Sequence, residues 1–235
     1  MEYYYIAPPL PTVARWCTMR RKYPGYSTLR ALEYERLETA NIFGHVLDVG
    51  GGEQSNTNMF LSKADRVDSI NISPDMKPTY LVAPGSPFPV ESGIYDVVVC
   101  LNTLEHIFDA TSMLLEIRRV LKTGGILYIT VPFMFRIHAS PDDYFRATPS
   151  WWEETLNSVG FSRVELSPLV WGRHTTAAEI CNFSGFLPKV VIKEWAYFKD
   201  ILYSRLMFRG VDDYDGPRGE RICAVSLGWF ISSTK

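Results

Sequence analysis

The sequence is poor in cysteine, has no long apolar run and carries no dominant charge sign. Its four cysteines stand at 17, 100, 181 and 223, with no C-x-x-C pair among them, which argues against a disulfide framework or a zinc ribbon. Cys100 lies inside an apolar run and reads as a core residue. The longest apolar run, Ile126 to Phe135, is about half of what a bilayer span needs. The opening MEYYYIAPPLP lacks the basic start and apolar centre of a secretory signal, so the expectation is a protein of the reducing cytoplasm. With 24 basic against 26 acidic residues the net charge is −2, and no nucleic-acid partner is expected. HExxH, GxSxG and clustered carboxylate ligands are also missing, so neither a metal requirement nor hydrolase chemistry of that type is indicated.

What is present is a globular composition of 46% hydrophobic, 14% aromatic and 21% charged residues. Its 235 residues can bury a core without staples. Short β-branched runs at 46–49, 67–72, 80–82, 95–101, 126–131, 164–169 and 222–231 read as strands. Helical spacing appears between some of them. Ser27 caps a run to Phe43, Thr111–Lys122 stops at Gly124-Gly125, and Pro149–Val159 stops at Gly160. Strands alternating with helices predict a parallel sheet with helices on both faces. The gap from Ile72 to Tyr80 is too short for a helical crossover, so either that helix is lost or the strand after it is vestigial.

Residues 1–26 read as a non-repetitive N-terminal arm and 27–235 as the domain, with a helical insertion at 174–210. In Lys189–Arg209, Val191, Trp195, Phe198, Leu202 and Leu206 form an apolar stripe, with Lys193, Asp200 and Ser204 opposite. Two readings stand: a lid or homodimer helix packed on the sheet, or a helix in peripheral contact with the inner face of a membrane.

The most informative segment is Val46-Leu-Asp-Val-Gly-Gly-Gly52, a strand ending in three glycines. Such a turn lets a ligand approach the backbone, and a following helix start would offer free N–H groups. With VLDVGGG at 46–52, PFPVESGIYDVVVCLNTLEHI at 87–107, LLEIRRVLKTGGILYITVP at 114–132 and GF at 160–161, the chain resembles class I S-adenosylmethionine-dependent methyltransferases over roughly two-thirds of its length. The resemblance implies a Rossmann-like α/β sheet, mostly parallel with an antiparallel last strand. It also implies S-adenosylmethionine as cofactor, with Asp48, Gly50, Gly51 and Gly52 at its methionine end and Leu101 and Asn102 near the sulfonium. Asn71 and Ala83 would hold the ribose and adenine, and His106 would lie at the cofactor edge.

The pattern departs at three places. Gln54 stands where the family has a third glycine, Asn71 stands where an acid grips the ribose, and Val82-Ala83-Pro84 replace the acid that meets adenine. Weakened cofactor binding, a non-catalytic scaffold and another nucleotide-like ligand are the alternatives these departures leave open.

Past the strand at 126–131, His138, Asp142, Asp143, Tyr144 and Arg146 crowd one loop. The run VPF…H…P-x-D-Y-x-R-x-T resembles methyltransferases of bacterial surface-polysaccharide biosynthesis, which implies a sugar or glycan acceptor. His138 is the candidate base, with Asp142 orienting it or acting instead. Tyr144 and Arg146 are candidate acceptor contacts, and Arg146 could equally pair with Asp142 or Asp143. His45 and His174 stand alone and read as surface residues.

Overall fold

Apolar runs that cannot stay in water alone assemble here into one sheet. The computed structural model describes residues 1–139 and 141–235. Its strands are β1 (Glu2–Tyr5), β2 (His45–Val49), β3 (Arg66–Asn71), β4 (Tyr80–Leu81), β5 (Tyr95–Leu101), β6 (Leu121–Pro132), β7 (Arg163–Leu169) and β8 (Gly228–Thr234). The helices are α1 (Val13–Lys22), α2 (Thr28–Leu37), α3 (Ala110–Val120), α4 (Pro149–Val159), α5 (Arg173–Ile180), α6 (Lys189–Met207) and α7 (Gly216–Cys223). Spatial order is β1-β7-β8-β6-β5-β2-β3-β4. Among the described residues only β8 runs antiparallel, bonded to both β6 and β7.

The central strands are apolar on both faces because both are covered. Leu47 and Val49 of β2, Val98 and Cys100 of β5, and Leu127 and Ile129 of β6 pack with α3 and α4. The intervening Val46, Val97, Val99 and Tyr128 pack with α1, α2 and α6. Each such aliphatic side chain contributes about 1.5–3 kcal/mol on leaving water. Helix boundaries follow local chemistry. Ser27 accepts from Arg30 N at the start of α2, Pro149 opens α4, and Gly160 closes it at φ +97.

Several expectations are corrected. The N-terminal arm is not irregular: Glu2–Tyr5 pairs in parallel with β7, and α1 follows. Residues 222–231 are not one strand, since α7 runs to Cys223 and β8 begins at Gly228. α3 ends at Val120, and Gly124 and Gly125 belong to β6. Between β3 and β4 the helix is lost to a single turn at Pro74–Met76, and β4 itself is two residues long. His45 is not a free surface residue; its Nε2 lies 2.7 Å from Asp68.

The largest reversal is α6. Its stripe does not face the sheet: Trp195, Leu202 and Leu206 are 58%, 47% and 56% exposed, while Asp200 and Ser204 are buried. The polar side turns inward because its groups are used there. Asp200 accepts from the His174 and Thr175 N–H groups at the start of α5 (3.0 and 2.8 Å). Lys193 donates to the Tyr26 carbonyl, and Tyr197 to Thr28 Oγ1. Among the described residues, no helix is long and apolar enough to cross a membrane.

Candidate active site

Strand order reverses between β2 and β5, because the chain runs outward from β2 to β3 and β4 and then returns to β2's other side. Loops leaving the carboxyl ends of these two strands must diverge, and the crevice between them is where ligands bind in open α/β sheets. The glycine turn sits on one lip and Asn102 on the other.

Gly50 takes φ +88, and a Cβ there would fall 2.2 Å from Thr103 Oγ1. A Cβ on Gly51 would fall 1.7 Å from Asp48 Oδ2, so the Asp48 carboxylate lies over the turn in space that only glycine leaves open. Asp48 is 2% exposed, and its Oδ2 has no hydrogen-bond partner. Burial pushes its carboxyl up to about 7. Ionising it unpaired costs several kcal/mol, so this group awaits a cation or a donor.

Asn71, expected on the ribose, is committed elsewhere. Its Nδ2 donates to the Gly50 and Gly51 carbonyls (2.6 and 3.0 Å), and its Oδ1 accepts from Ser73 N (2.9 Å). It clamps the turn to the end of β3. The helix expected after the turn is instead a short 3-10 turn at Asn56–Phe60, which removes the fan of free N–H groups. A Cβ on Gly52 would fall 2.1 Å from the Met76 carbonyl, so this part of the turn is covered by the 74–77 segment. Ala83 is exposed, in a bend where its carbonyl accepts from Ser86 N (3.1 Å).

At the end of β5, Leu101 is half-buried and Asn102 adopts φ +48, a left-handed conformation unusual outside glycine. Three bonds hold it there. Asn102 N donates to the Thr130 carbonyl (2.8 Å), and Nδ2 donates to Glu33 Oε2 (2.6 Å) and Thr130 Oγ1 (3.1 Å). Glu33 was not singled out from the sequence. It is fully buried, its carboxyl raised by burial, and it also accepts from Arg30 Nη1 (3.0 Å). Its signal was an acid in register with Leu29 and Leu37 on the apolar face of α2.

Beyond Asn102, Glu105 is 1% exposed, and neither carboxylate oxygen has a partner. Burial pushes its carboxyl up to about 8. His106 Nε2 lies 3.7 Å and His138 Nε2 3.9 Å from Glu105 Oε1. His106 Nδ1 bonds the Asp142 carbonyl, and His138 Nδ1 lies 3.1 Å from the Arg136 carbonyl. Carbonyls only accept, so both Nδ1 atoms donate, and both Nε2 atoms lie toward Glu105. The donor atoms of the three residues lie within 4.8 Å of one another, a spacing a divalent cation could bridge. The sequence offered no such cluster, because Glu105 and His138 are 33 residues apart.

The 136–146 loop is fastened by a different acid from the one expected. Asp143, not Asp142, supports His138: Asp143 Oδ2 accepts from His138 N (2.9 Å) and lies 3.5 Å from Nδ1. Arg146 grips both Asp143 oxygens and donates to the Arg136 carbonyl (3.3 Å), which holds the Asp143 carboxyl down at about 2. Asp142 is exposed, and its carboxylate accepts from the Tyr144 hydroxyl (3.1 Å). Tyr144 N donates to the Glu105 carbonyl (2.8 Å), seating the loop on the 104–106 turn, and the Tyr144 ring meets exposed Phe108 edge-on at 5.6 Å.

Residues 47–129, which hold the glycine turn, the β5 end and the Glu105 turn, match the family model described as a methyltransferase domain. The fold is that of a class I methyltransferase. Two solved structures match this methyltransferase fold over nearly their whole length. One is a SAM-dependent methyltransferase from Archaeoglobus fulgidus, at 14% identity and TM-score 0.53 over 94% of this chain and 99% of that one. The other is the YcgJ protein of Bacillus subtilis, at 12% identity and TM-score 0.54 over 88% and 98%. A phosphoethanolamine N-methyltransferase 2 of Haemonchus contortus, solved with S-adenosylhomocysteine, shares 18% identity at TM-score 0.52, over 88% of this chain and 52% of that one. No curated protein sequence matches the chain. Beyond β7 the sheet carries one further strand, β1.

Proposed function

We propose that the protein is an S-adenosylmethionine-dependent methyltransferase that O-methylates a sugar or glycan intermediate. The carrying observation is the Asp48 carboxylate, buried and unpartnered over the Gly50-Gly51 turn inside the methyltransferase-domain match. With Glu105, it makes two buried carboxyls with unpartnered oxygens, both raised by burial. A ligand carrying an ammonium and a sulfonium is the complement such a site lacks. The methionine end therefore fits. The ribose end does not have the usual grip, since Asn71 is spent on the turn. That departure weakens binding by roughly ten- to a hundredfold per lost charge-assisted bond, and the non-catalytic reading is not favoured.

The cofactor supplies an activated methyl group. This chain's residues hold the acceptor hydroxyl and receive its proton. His138 is about 40% exposed at its side chain, and its Nδ1–H is fixed on the Arg136 carbonyl, so Nε2 is free to accept. With methyl transfer supplied by the cofactor when bound, His138 Nε2 would take up the proton released from the acceptor hydroxyl. Exposed Phe108 and Tyr144 flank the loop and suit a sugar face, which supports the glycan reading.

The test is calorimetry with S-adenosylmethionine and S-adenosylhomocysteine, followed by transfer of labelled methyl to sugar acceptors. His138→Ala should lower kcat by about 10²–10⁴ and leave cofactor affinity intact, whereas Asp142→Asn should leave kcat near wild type. No cofactor binding at millimolar ligand would reject the reading. Loss of activity on chelation would make Glu105, His106 and His138 a metal site instead.

A further inference from the structure

We infer that the outer face of α6 docks on an anionic lipid surface. This does not depend on the proposed methyl transfer. The face is built from Val191, Trp195, Phe198, Leu202 and Leu206, each at least 43% exposed. Trp195 and Phe198 stack at 5.5 Å and 23° on the outside of the helix. A stripe of this length in water is a liability unless it is covered.

The charges around the stripe identify the cover. At 100° per residue, Lys199 and Arg205 sit about 60° to either side of Leu202. Lys189 and Arg209 mark its two ends, and both are exposed. The acids of α6 do not offset them: Asp200 is buried beneath α5, and Glu194 is paired with Arg20 at 3.5 Å. A cationic rim around an apolar and aromatic centre, on a chain whose net charge is −2, complements lipid headgroups over acyl chains. A second copy fits less well. A two-fold contact through α6 would face this cationic rim with itself.

The polar inner face keeps the helix rigid as it docks. It is tied to α2 through Tyr197–Thr28 and to the segment before α2 through Lys193–Tyr26, and α5 is tied in turn to the acceptor loop, since Arg136 donates to the Glu179 carbonyl (2.6 Å).

The test is pelleting of the full chain with vesicles of phosphatidylcholine alone and of phosphatidylcholine and phosphatidylglycerol in equal parts. Wild type should pellet with the mixed vesicles and be released by salt. Both Trp195→Ser/Leu202→Ser and Lys199→Glu/Arg205→Glu should bind roughly tenfold more weakly or less. Trp195, Leu202 and Arg205 are exposed and Lys199 is half-buried, and unchanged melting of the variants checks the fold. Failure of wild type to pellet would overturn the inference, as would equal binding by the charge-reversed variant. So would a dimer on size exclusion that Trp195→Ser/Leu202→Ser dissolves, because a second copy would then cover the face.

Discussion

An amide at position 71 and a carboxylate there would meet the same two carbonyls with opposite results. Asn71 Nδ2 donates to the Gly50 and Gly51 carbonyls. Aspartate has no donor and would set negative charge against them. Restoring the family's acid by Asn71→Asp should therefore cost about 1–3 kcal/mol of stability and bring no gain in cofactor affinity. Thermal melting and calorimetry on the same variant check both parts. This position also shows where the sequence stops informing. The missing acid was legible, and so was its place at the end of β3. What Asn71 does instead was not, because a hydrogen-bond partner is a property of three-dimensional approach and not of residue type. The exchange of Asp142 for Asp143 has the same origin. Both acids are adjacent in the chain, and only the turn geometry decides which one faces His138.

At the scale of elements, the acceptor loop depends on one ion pair. Asp143 is held by both ends of the Arg146 guanidinium, and its side chain is 3% exposed. Removing the cation by Arg146→Ala leaves a largely buried carboxylate with the His138 N–H but no guanidinium, which costs about 3 kcal/mol if the loop stays closed. The loop is cheaper to open. Hydrogen exchange over 136–148 should speed up and acceptor KM should rise, while cofactor affinity stays unchanged. Elements themselves were mostly legible. β5 and α4 match their expected limits, since apolar runs and the Pro149 and Gly160 signals are local. α6 was legible as a helix but not in its facing. Periodicity gives two faces and does not say which one meets the core. Here Asp200, Lys193 and Tyr197 found partners inside, and the apolar side was left outside.

For the whole molecule, buried carboxyls set the pH response. Asp48 shifts from 3.8 to about 7 on folding. Between those values the unfolded chain has lost its proton and the folded one keeps it. Stability therefore falls as pH rises from about 4 to about 7, by a few kcal/mol at the end of that window. Asp143 acts oppositely, held at about 2 by Arg146, and its contribution is lost as pH falls below 4. Glu105, raised to about 8, adds a second decline that runs on to about pH 8, so melting of the ligand-free protein should decline from about pH 4 to about pH 8, and Asp48→Asn should make that decline shallower without abolishing it. A cationic ligand at Asp48 reverses the sign. Its binding near pH 7 should release a fraction of a proton, on the order of one half, read from the buffer dependence of the calorimetric enthalpy.

Strand β1 has a kinetic consequence. It pairs Glu2 with Arg163, so closing that margin of the sheet means joining segments about 160 residues apart. Contacts this distant in sequence form late. Until they form, β7 presents a bare row of N–H and carbonyl groups to any other chain nearby. Refolding yield should therefore fall with protein concentration, and a soluble EYYYI peptide would compete for the same margin.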